Sequence, residues 1–214
     1  MLALRRGYTL YEVIITLLII GLIAYFMIFD MVYKVHESEY IIGLKRLNTE
    51  LSLALNKIKI NNGGYINIGL GSGGTYNESL RRDFCNVIKC VKTDTTSNIF
   101  GAIHYRWYDG DNIRWPGRND SIPAVITNEG YFIRFYSYSD CSHANINACG
   151  YIDVDINGKK APNRIGKDLY SFWIVHNKNN YAILPIGILY DGYNCYENDW
   201  GCTALRLINP AYMP

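Results

Sequence analysis

A long apolar run near the N-terminus constrains this chain more than any other feature. The run extends from Leu10 to Phe29 and follows the basic pair Arg5-Arg6. About 20 residues at 1.5 Å per residue form a helix that can cross roughly 30 Å of hydrocarbon. The arginines before the run favour a cytoplasmic N-terminus, with everything after Asp30 exported. The sequence therefore predicts one membrane-spanning helix followed by an exported part.

A single carboxylate, Glu12, lies near the start of this run. A charge inside a bilayer costs about 2.5–3.5 kcal/mol on insertion scales, so it usually has a partner or a function. Protonation or pairing with a cationic group would neutralise it. A carboxylate that reaches the lipid headgroups from the helix end is the structural alternative.

The residues around Glu12 resemble the N-terminus of type IV pilins and of the pseudopilins of type II secretion. Leaders of that family end in a basic stretch and Gly, followed by an aromatic residue, Thr, Leu, one further residue and Glu. The order here is Gly7-Tyr8-Thr9-Leu10-Tyr11-Glu12. Tyr8 stands where the family usually has Phe, and Tyr11 stands where it often has Ile or Val.

The resemblance implies a structural subunit of a pilus-like or pseudopilus filament and no enzyme. Prepilin peptidase would cut after Gly7, the new amine of Tyr8 would be methylated, and Glu12 would pair with that amine on an adjacent subunit. The implied fold is pilin-like α+β, with one long N-terminal helix packed on an antiparallel sheet. The expected parts are a leader (1–7), a transmembrane or filament-core helix (8–30), its amphipathic continuation (31–61) and an exported head domain (62–214).

The expected partners are further copies and other pilin-like subunits, prepilin peptidase, an inner-membrane assembly platform and, before assembly, membrane lipid. The expected location is the bacterial inner membrane, with a cytoplasmic N-terminus, and then a periplasmic or extracellular filament. No nucleic acid is expected: the chain has 21 Lys and Arg against 19 Asp and Glu, and loss of Arg5 and Arg6 makes it formally neutral.

Two other kinds of N-terminal segment compete with the filament interpretation. A secretory signal peptide has a shorter apolar region and a small-residue cleavage site after it, which Ala24-Tyr25-Phe26 does not offer. A plain signal anchor fits the length and charge but gives no reason for Glu12. The alternative function is therefore a single-pass membrane-anchored exported binding protein, an adhesin or a sensor, that does not polymerise.

Beyond the apolar run, the pattern predicts that the helix continues. Apolar residues recur at three- and four-residue steps, which is typical of an amphipathic helix. Asn61-Asn62-Gly63-Gly64 predicts its end, so we expect one helix from about Thr9 to Ile60. The recurring residues are Ile41, Leu44, Leu47, Leu51, Ala54 or Leu55, and Ile58.

The remaining chain alternates as antiparallel strands do, between loops rich in Asn, Asp, Gly and Pro. A short helix over 78–90 precedes the predicted strands, and a flexible connector, 63–74, precedes that helix. The predicted strands are 102–108, 131–138, 151–156, 169–175 and 181–186. The face that covers the long helix is expected to come from Phe132, Phe172, Trp173, Ile174 and the aliphatic residues of Ala182–Leu184.

Six cysteines, all beyond the apolar run, predict disulfides in an exported domain. Six cysteines allow 15 connectivities, and the sequence does not choose among them. Pairing of sequence neighbours is the simplest, because short loops close most easily. Zinc is disfavoured because no Cys-x-x-Cys occurs. The candidate pairs are Cys85 with Cys90, Cys141 with Cys149, and Cys195 with Cys202.

One possible metal site follows the predicted strand 151–156. Oxygen-bearing side chains alternate at Asp153, Asp155 and Asn157 before Gly158, as at the start of a calcium loop, and Asp168 follows further on. Position 164 is Arg rather than the Glu of an EF-hand, and a strand that ends in an Asn-Gly turn explains the same residues. Calcium is therefore only a possible ligand, and no other cofactor is expected.

Overall fold

A computed structural model of this chain describes residues 9–66, 74–101, 103–107, 110–113, 121–138, 140–177, 180–187, 195 and 201–208. Two compact units make up the chain, Met1–Glu39 and Tyr40–Pro214. The fold is α+β, as expected, with a long apolar helix at the N-terminus and a six-stranded antiparallel sheet.

Helix α1 extends over Leu10–Asn61 and confirms the helix predicted for Thr9–Ile60. It ends where Gly63 and Gly64 take φ angles of 69° and 100°. The Gly64 N–H then donates to the carbonyl of Lys59 at 2.7 Å. Glycine enters this left-handed region at little steric cost, so the two glycines close the helix as the sequence indicates.

The sheet belongs to the second unit, and its six strands lie in chain order with every neighbouring pair antiparallel. The longest strand is rich in β-branched and aromatic residues, which favour the extended chain. The strands are β1 (Cys90–Thr95), β2 (Pro123–Thr127), β3 (Phe132–Ser137), β4 (Ala148–Asp155), β5 (Leu169–Asn177) and β6 (Asn180–Pro185). The remaining helices are α2 (Gly74–Cys85), α3 (Thr96–Phe100) and α4 (Cys202–Ile208), with a 3-10 turn at Ala144–Ile146.

The main core lies between residues 40–61 of α1, helix α2 and one face of the sheet. The predicted amphipathic stripe of α1 is buried there, and Leu44 and Leu51 are fully inaccessible. Helix α2 contributes Leu80 and Phe84. The sheet contributes Ile133 and Phe135 from β3, Ile152 and Val154 from β4, and Phe172 and Ile174 from β5.

The opposite face of the sheet carries two smaller clusters. Phe132 packs there with Phe100 of α3 and with Tyr105, and Trp173 packs with Val175. The prediction that Phe132 and Trp173 cover the long helix was therefore wrong. Successive side chains of a strand point to opposite faces of the sheet. Phe132 is next to Ile133 and Trp173 is next to Ile174, so both lie on the face away from α1.

Four of the five predicted strands are confirmed as β3 to β6, with shifted ends. The predicted strand 102–108 is wrong within 103–107, where Arg106 makes only isolated bridges to Asn112 and Arg164. The helix predicted over 78–90 is instead α2, Gly74–Cys85, and Cys90 is the first residue of β1.

Candidate functional site

The first part of α1 exposes its apolar side chains. Every residue from Leu10 to Phe29 is exposed, and Leu17 and Phe26 keep 64% and 63% of their surface accessible. Among the described residues, α1 is the one helix long and apolar enough to cross a membrane. An apolar surface this continuous is stable only under an apolar cover, whether lipid or protein.

Glu12 lies in the first turn of α1 and pairs with Thr9. The backbone N–H and the hydroxyl of Thr9 both donate to Glu12 Oε2, at 2.8 and 2.9 Å. The Glu12 N–H donates back to Thr9 Oγ1 at 3.3 Å. This reciprocal arrangement is a capping box, which satisfies N–H groups that a helix start leaves without partners. Within the described part of the chain, no donor contacts Glu12 Oε1.

Sequence reasoning singled out Glu12 but did not consider its bond to Thr9. The signal was present, because a Thr followed three residues later by Glu before an apolar run is the capping-box pattern. Gly7 and Tyr8 lie outside the described residues, so cleavage after Gly7 and methylation of Tyr8 stay predictions.

The cysteines form three disulfides between sequence neighbours: Cys85–Cys90, Cys141–Cys149 and Cys195–Cys202. This is the pairing that short loops favour. The first disulfide joins the end of α2 to the start of β1, and the third anchors the start of α4. No free cysteine occurs in the described residues, so disulfides account for all the thiols there.

Two of the three residues considered for calcium, Asp153 and Asp155, accept hydrogen bonds from protein donors, whereas Asn157 Oδ1 is buried without a hydrogen-bond partner among the described residues. Asp153 Oδ2 accepts from Nε and Nη2 of Arg134 at 2.9 and 2.7 Å, and its Oδ1 accepts from the Ser171 hydroxyl. Asp155 Oδ1 accepts the N–H of Asn157 at 3.0 Å. The described residues hold no group of three or more His, Cys, Asp or Glu placed to bind a metal ion. The calcium site stays a prediction that this geometry does not favour.

Asp155 instead belongs to a buried acidic cluster with Asp168 and Tyr105. The Tyr105 hydroxyl donates to Asp155 Oδ2 at 2.5 Å, and Asp168 accepts the N–H groups of Asn163 and Arg164 at 2.7 and 2.6 Å. Burial, with the Asp168 charge nearby, raises the pKa of Asp155 to about 8. Burial likewise raises the pKa of Asp168 to about 6. These bonds tie the loop between β4 and β5 to the segment that carries Tyr105.

A second buried charge cluster was not foreseen from the sequence. Arg134 and Asp153 form an ion pair with only 4% and 2% of their side-chain surfaces exposed. The Arg134 guanidinium also lies 5.3 Å from the centre of the Tyr151 ring. Arg134 and Asp153 are directly opposite on β3 and β4, and cross-strand pairing of opposite charges is the signal that could have found them.

Two pairs of carboxylates lie beside a tryptophan in the sequence: Asp109 and Asp111 near Trp107, and Glu197 and Asp199 near Trp200. Such pairs could indicate action on carbohydrate, but solvated turn residues are the ordinary explanation. Asp111 lies in a loop, where its backbone carbonyl accepts the Trp107 N–H at 2.8 Å. The other members of these pairs, Asp109, Glu197 and Asp199, lie outside the described residues, as do residues 67–73 of the predicted connector 63–74.

Comparison with protein-family models, with curated proteins and with solved structures finds no match. The case for a function therefore rests on the start of α1, on its apolar surface and on the resemblance of its N-terminal residues to pilins. The disulfides and the sheet belong to the second unit and assign it no activity.

Proposed function

We propose that this chain is a structural subunit of a filament of the type IV pilin superfamily, either a pilus or a type II secretion pseudopilus. The observation that carries the proposal is the exposed apolar surface of α1 from Leu10 to Phe29, with one carboxylate, Glu12, in the first turn. Before assembly, lipid covers this surface. After assembly, the same helix of neighbouring copies covers it.

Transfer of the helix from lipid to contacts with other copies is favoured over its exposure to water. Full burial of one large apolar side chain stabilises by about 1.5–3 kcal/mol, and the run presents many of them. The helix therefore leaves the bilayer only for surroundings that are equally apolar. Other copies of the same helix provide such surroundings.

Glu12 supplies the specific contact within that apolar setting. Its carboxylate costs about 2.5–3.5 kcal/mol in the bilayer, and an oppositely charged partner offsets that cost. Cleavage after Gly7 by prepilin peptidase creates a cationic amine on Tyr8. In the proposed filament the Tyr8 amine, methylated after cleavage, pairs with Glu12 of an adjacent copy.

The proposed life of the subunit has two stages. It begins in the bacterial inner membrane, with its N-terminus in the cytoplasm and its disulfide-containing part exported. An assembly platform then moves it into a periplasmic or extracellular filament with further copies and other pilin-like subunits. The chain itself performs no chemistry in this proposal.

One observation favours the alternative, a single-pass anchored adhesin or sensor that stays in the membrane. The Thr9–Glu12 capping box gives Glu12 a role inside its own helix. A carboxylate at the third position of a helix needs no second subunit when it caps the first turn.

Mass spectrometry of the N-terminus separates the two functions. We expect the chain from cells that contain prepilin peptidase to begin at Tyr8 with a methylated amine. A Gly7→Leu variant, which blocks the cleavage site, should retain Met1. A wild-type chain that also begins at Met1 in those cells would contradict the filament proposal and support the anchor.

A further inference from the structure

The dipeptide Asn-Gly occurs twice in this chain, at Asn62-Gly63 and at Asn157-Gly158, and the surroundings of the two copies differ. We propose that Asn62 is a site of spontaneous modification, where the side-chain amide is converted to aspartate or isoaspartate, whereas Asn157 is preserved. The conversion opens the C-terminal end of α1. This inference does not depend on the proposed function, because the reaction takes place in a filament subunit and in an anchored protein alike.

Both dipeptides carry the groups for the same reaction, because glycine has no side chain to shield the backbone nitrogen that attacks. The glycine nitrogen gives up its proton to water and bonds to Cγ of the asparagine. The bond from Cγ to Nδ2 breaks, and ammonia leaves. Water then opens the cyclic imide at either carbonyl, which yields aspartate or isoaspartate. No oxidant or reductant takes part, and the co-reactant is solvent water.

The reacting groups at Asn62 are weakly held. Asn62 and Gly63 are both exposed, in the turn that follows α1. The Gly63 N–H donates to the Ile60 carbonyl at 3.3 Å, and Asn62 Nδ2 donates to Asp83 Oδ2 of α2 at 3.4 Å. Both distances lie beyond the usual range for an N–H donor to oxygen. Because the residue is exposed, water can also solvate the oxygen on which negative charge develops.

The same groups at Asn157 are firmly held. The Gly158 N–H donates to Asp155 Oδ1 at 2.8 Å, and Asn157 Nδ2 donates to the Ala161 carbonyl at 3.2 Å and to the Tyr40 hydroxyl at 3.4 Å. Asn157 Oδ1 is buried without a hydrogen-bond partner among the described residues. Negative charge that develops on this oxygen is therefore poorly stabilised. Reaction at Asn157 requires these bonds to break first.

Conversion of Asn62 changes the end of α1. Nδ2 donates to Asp83, whereas the product is a carboxylate, so an attractive contact between α1 and α2 becomes repulsive. A negative charge is also unfavourable at the C-terminus of a helix. Isoaspartate adds a methylene group to the backbone beside Gly63 and Gly64, whose positive φ angles close the helix. We therefore expect the bond from the Gly64 N–H to the Lys59 carbonyl to weaken.

Peptide mass spectrometry of the full chain in detergent micelles, incubated for weeks in warm neutral buffer, follows both sites in one sample. Fragmentation of the peptides locates the converted residue. The chain unfolded in urea is the reference, because both dipeptides are then exposed and should convert at similar rates. In the folded chain we expect Asn62 to convert at least about tenfold faster than Asn157, owing to the hydrogen bonds that hold Asn157.

Two variants change one site each. Asn62→Gln has a longer side chain that must close a larger ring, so conversion at this position should be lost while Asn157 keeps its rate. Tyr40→Phe removes a hydroxyl that holds Asn157 Nδ2 and should raise conversion of Asn157 about fivefold, with no change at Asn62.

Equal rates at the two sites of the folded chain, or faster conversion of Asn157, overturn the proposal. An intact Asn62 in the folded chain, after a time in which the urea-unfolded chain converts, overturns it as well.

Asn62→Asp tests the effect on the helix end. Hydrogen exchange of the Gly64 N–H, resolved by NMR, reports its bond to the Lys59 carbonyl. We expect this exchange to be about fivefold faster in Asn62→Asp than in the wild type. Asn62→Gln keeps a donor that can reach Asp83 and should exchange at the wild-type rate. An unchanged rate in Asn62→Asp overturns the opening of α1.

Discussion

Two buried carboxylates in the second unit make its stability depend on pH. Asp155 and Asp168 have pKa values raised to about 8 and about 6, mainly by burial. In the unfolded chain both carboxyls titrate near the ordinary value of about 3.9. Their contribution to stability is therefore complete below about pH 4 and is lost as pH rises toward 8.

Asp155→Asn tests this cluster at a single residue. The asparagine keeps the shape, and its oxygen can accept the N–H groups of Asn157 and Gly158 while its NH2 donates to the Tyr105 hydroxyl. It has no proton to lose, so the unfolded chain no longer gains by ionising at this position between pH 4 and pH 8. At about 1.4 kcal/mol for each unit by which a pKa is raised, we expect the wild-type free energy of unfolding to fall by on the order of 7 kcal/mol from pH 4 to pH 8, and the variant to lose most of that fall. Near-UV circular dichroism of the processed chain in detergent micelles, followed in urea, measures it.

Asp140→Asn is the control for that slope. Hydrogen bonds from Ser142 lower the pKa of Asp140, so its titration lies below the range in question. This variant should keep the wild-type slope between pH 4 and pH 8. A slope in Asp155→Asn that equals the wild-type slope would contradict the assignment to the buried cluster.

The ion pair of Arg134 and Asp153 is a second prediction at the residue scale. Arg134→Met leaves a carboxylate buried without its counter-charge, and removal of one partner of a buried pair costs about 3–5 kcal/mol. We expect the double variant Arg134→Met/Asp153→Asn to be more stable than the sum of the two single variants indicates. Urea unfolding of the four chains gives the coupling energy. Additive effects would show that the two side chains do not interact.

Helix α1 is continuous, but its two parts differ in what surrounds their side chains. Its residues up to Phe29 expose apolar side chains, whereas residues 40–61 bury one stripe against the sheet and leave Leu53 62% exposed. The change in side-chain pattern, from apolar throughout to amphipathic, marks the change of surroundings.

Leu51→Ala tests the buried stripe of α1. Leu51 is fully buried in the main core, and loss of such a leucine costs about 2–5 kcal/mol because a cavity remains. Leu53→Ala, two residues away on the exposed face, should change stability by less than about 0.5 kcal/mol. Thermal unfolding of both variants gives the comparison. Equal losses would mean that the stripe does not pack as described.

Some elements were predictable because one local rule decides them. The apolar run and the terminal glycines set the ends of α1, and alternation indicates β3 to β6. Strands β1 and β2 were missed because β1 carries Lys92 and Asp94 on an edge and β2 begins at Pro123. Neither strand shows the alternation of apolar and polar residues that indicates a half-buried strand. Both are recognised only from their pairing with neighbouring strands in the structure.

The candidate sites likewise differ in whether the local sequence could predict them. Glu12 was found because a carboxylate in an apolar run is conspicuous in any sequence. The sequence suggested that Asp155 acts with Asp153 and with the more distant Asp168. The structure places Asp155 near Asp168 and bonds it to Tyr105, whereas Asp153 pairs with Arg134. Contacts between residues far apart in the chain depend on strand register and on the path of the loops. The spacing of residues in the sequence does not determine either of these.

At the scale of the whole molecule, Glu12→Ala separates membrane insertion from assembly. The variant helix is more apolar, so it should insert into the inner membrane as well as the wild type. It lacks the partner of the Tyr8 amine, and we expect its incorporation into filaments to be abolished. Immunoblots of the membrane and sheared extracellular fractions measure the two steps.

Glu39→Ala is the matched control, because Glu39 is an exposed carboxylate of α1 beyond the apolar run. It should appear in the sheared fraction at the wild-type level. Normal incorporation of Glu12→Ala would contradict the proposed pairing.

The central claim is that this chain leaves the membrane as part of a polymer. Electron microscopy of sheared extracellular material, with antibody labelling of this chain and mass spectrometry of its N-terminal peptide, tests it most directly. The account predicts labelled filaments whose subunits begin at Tyr8. A chain confined to the membrane fraction as a single species, in cells that assemble other such filaments, would contradict it.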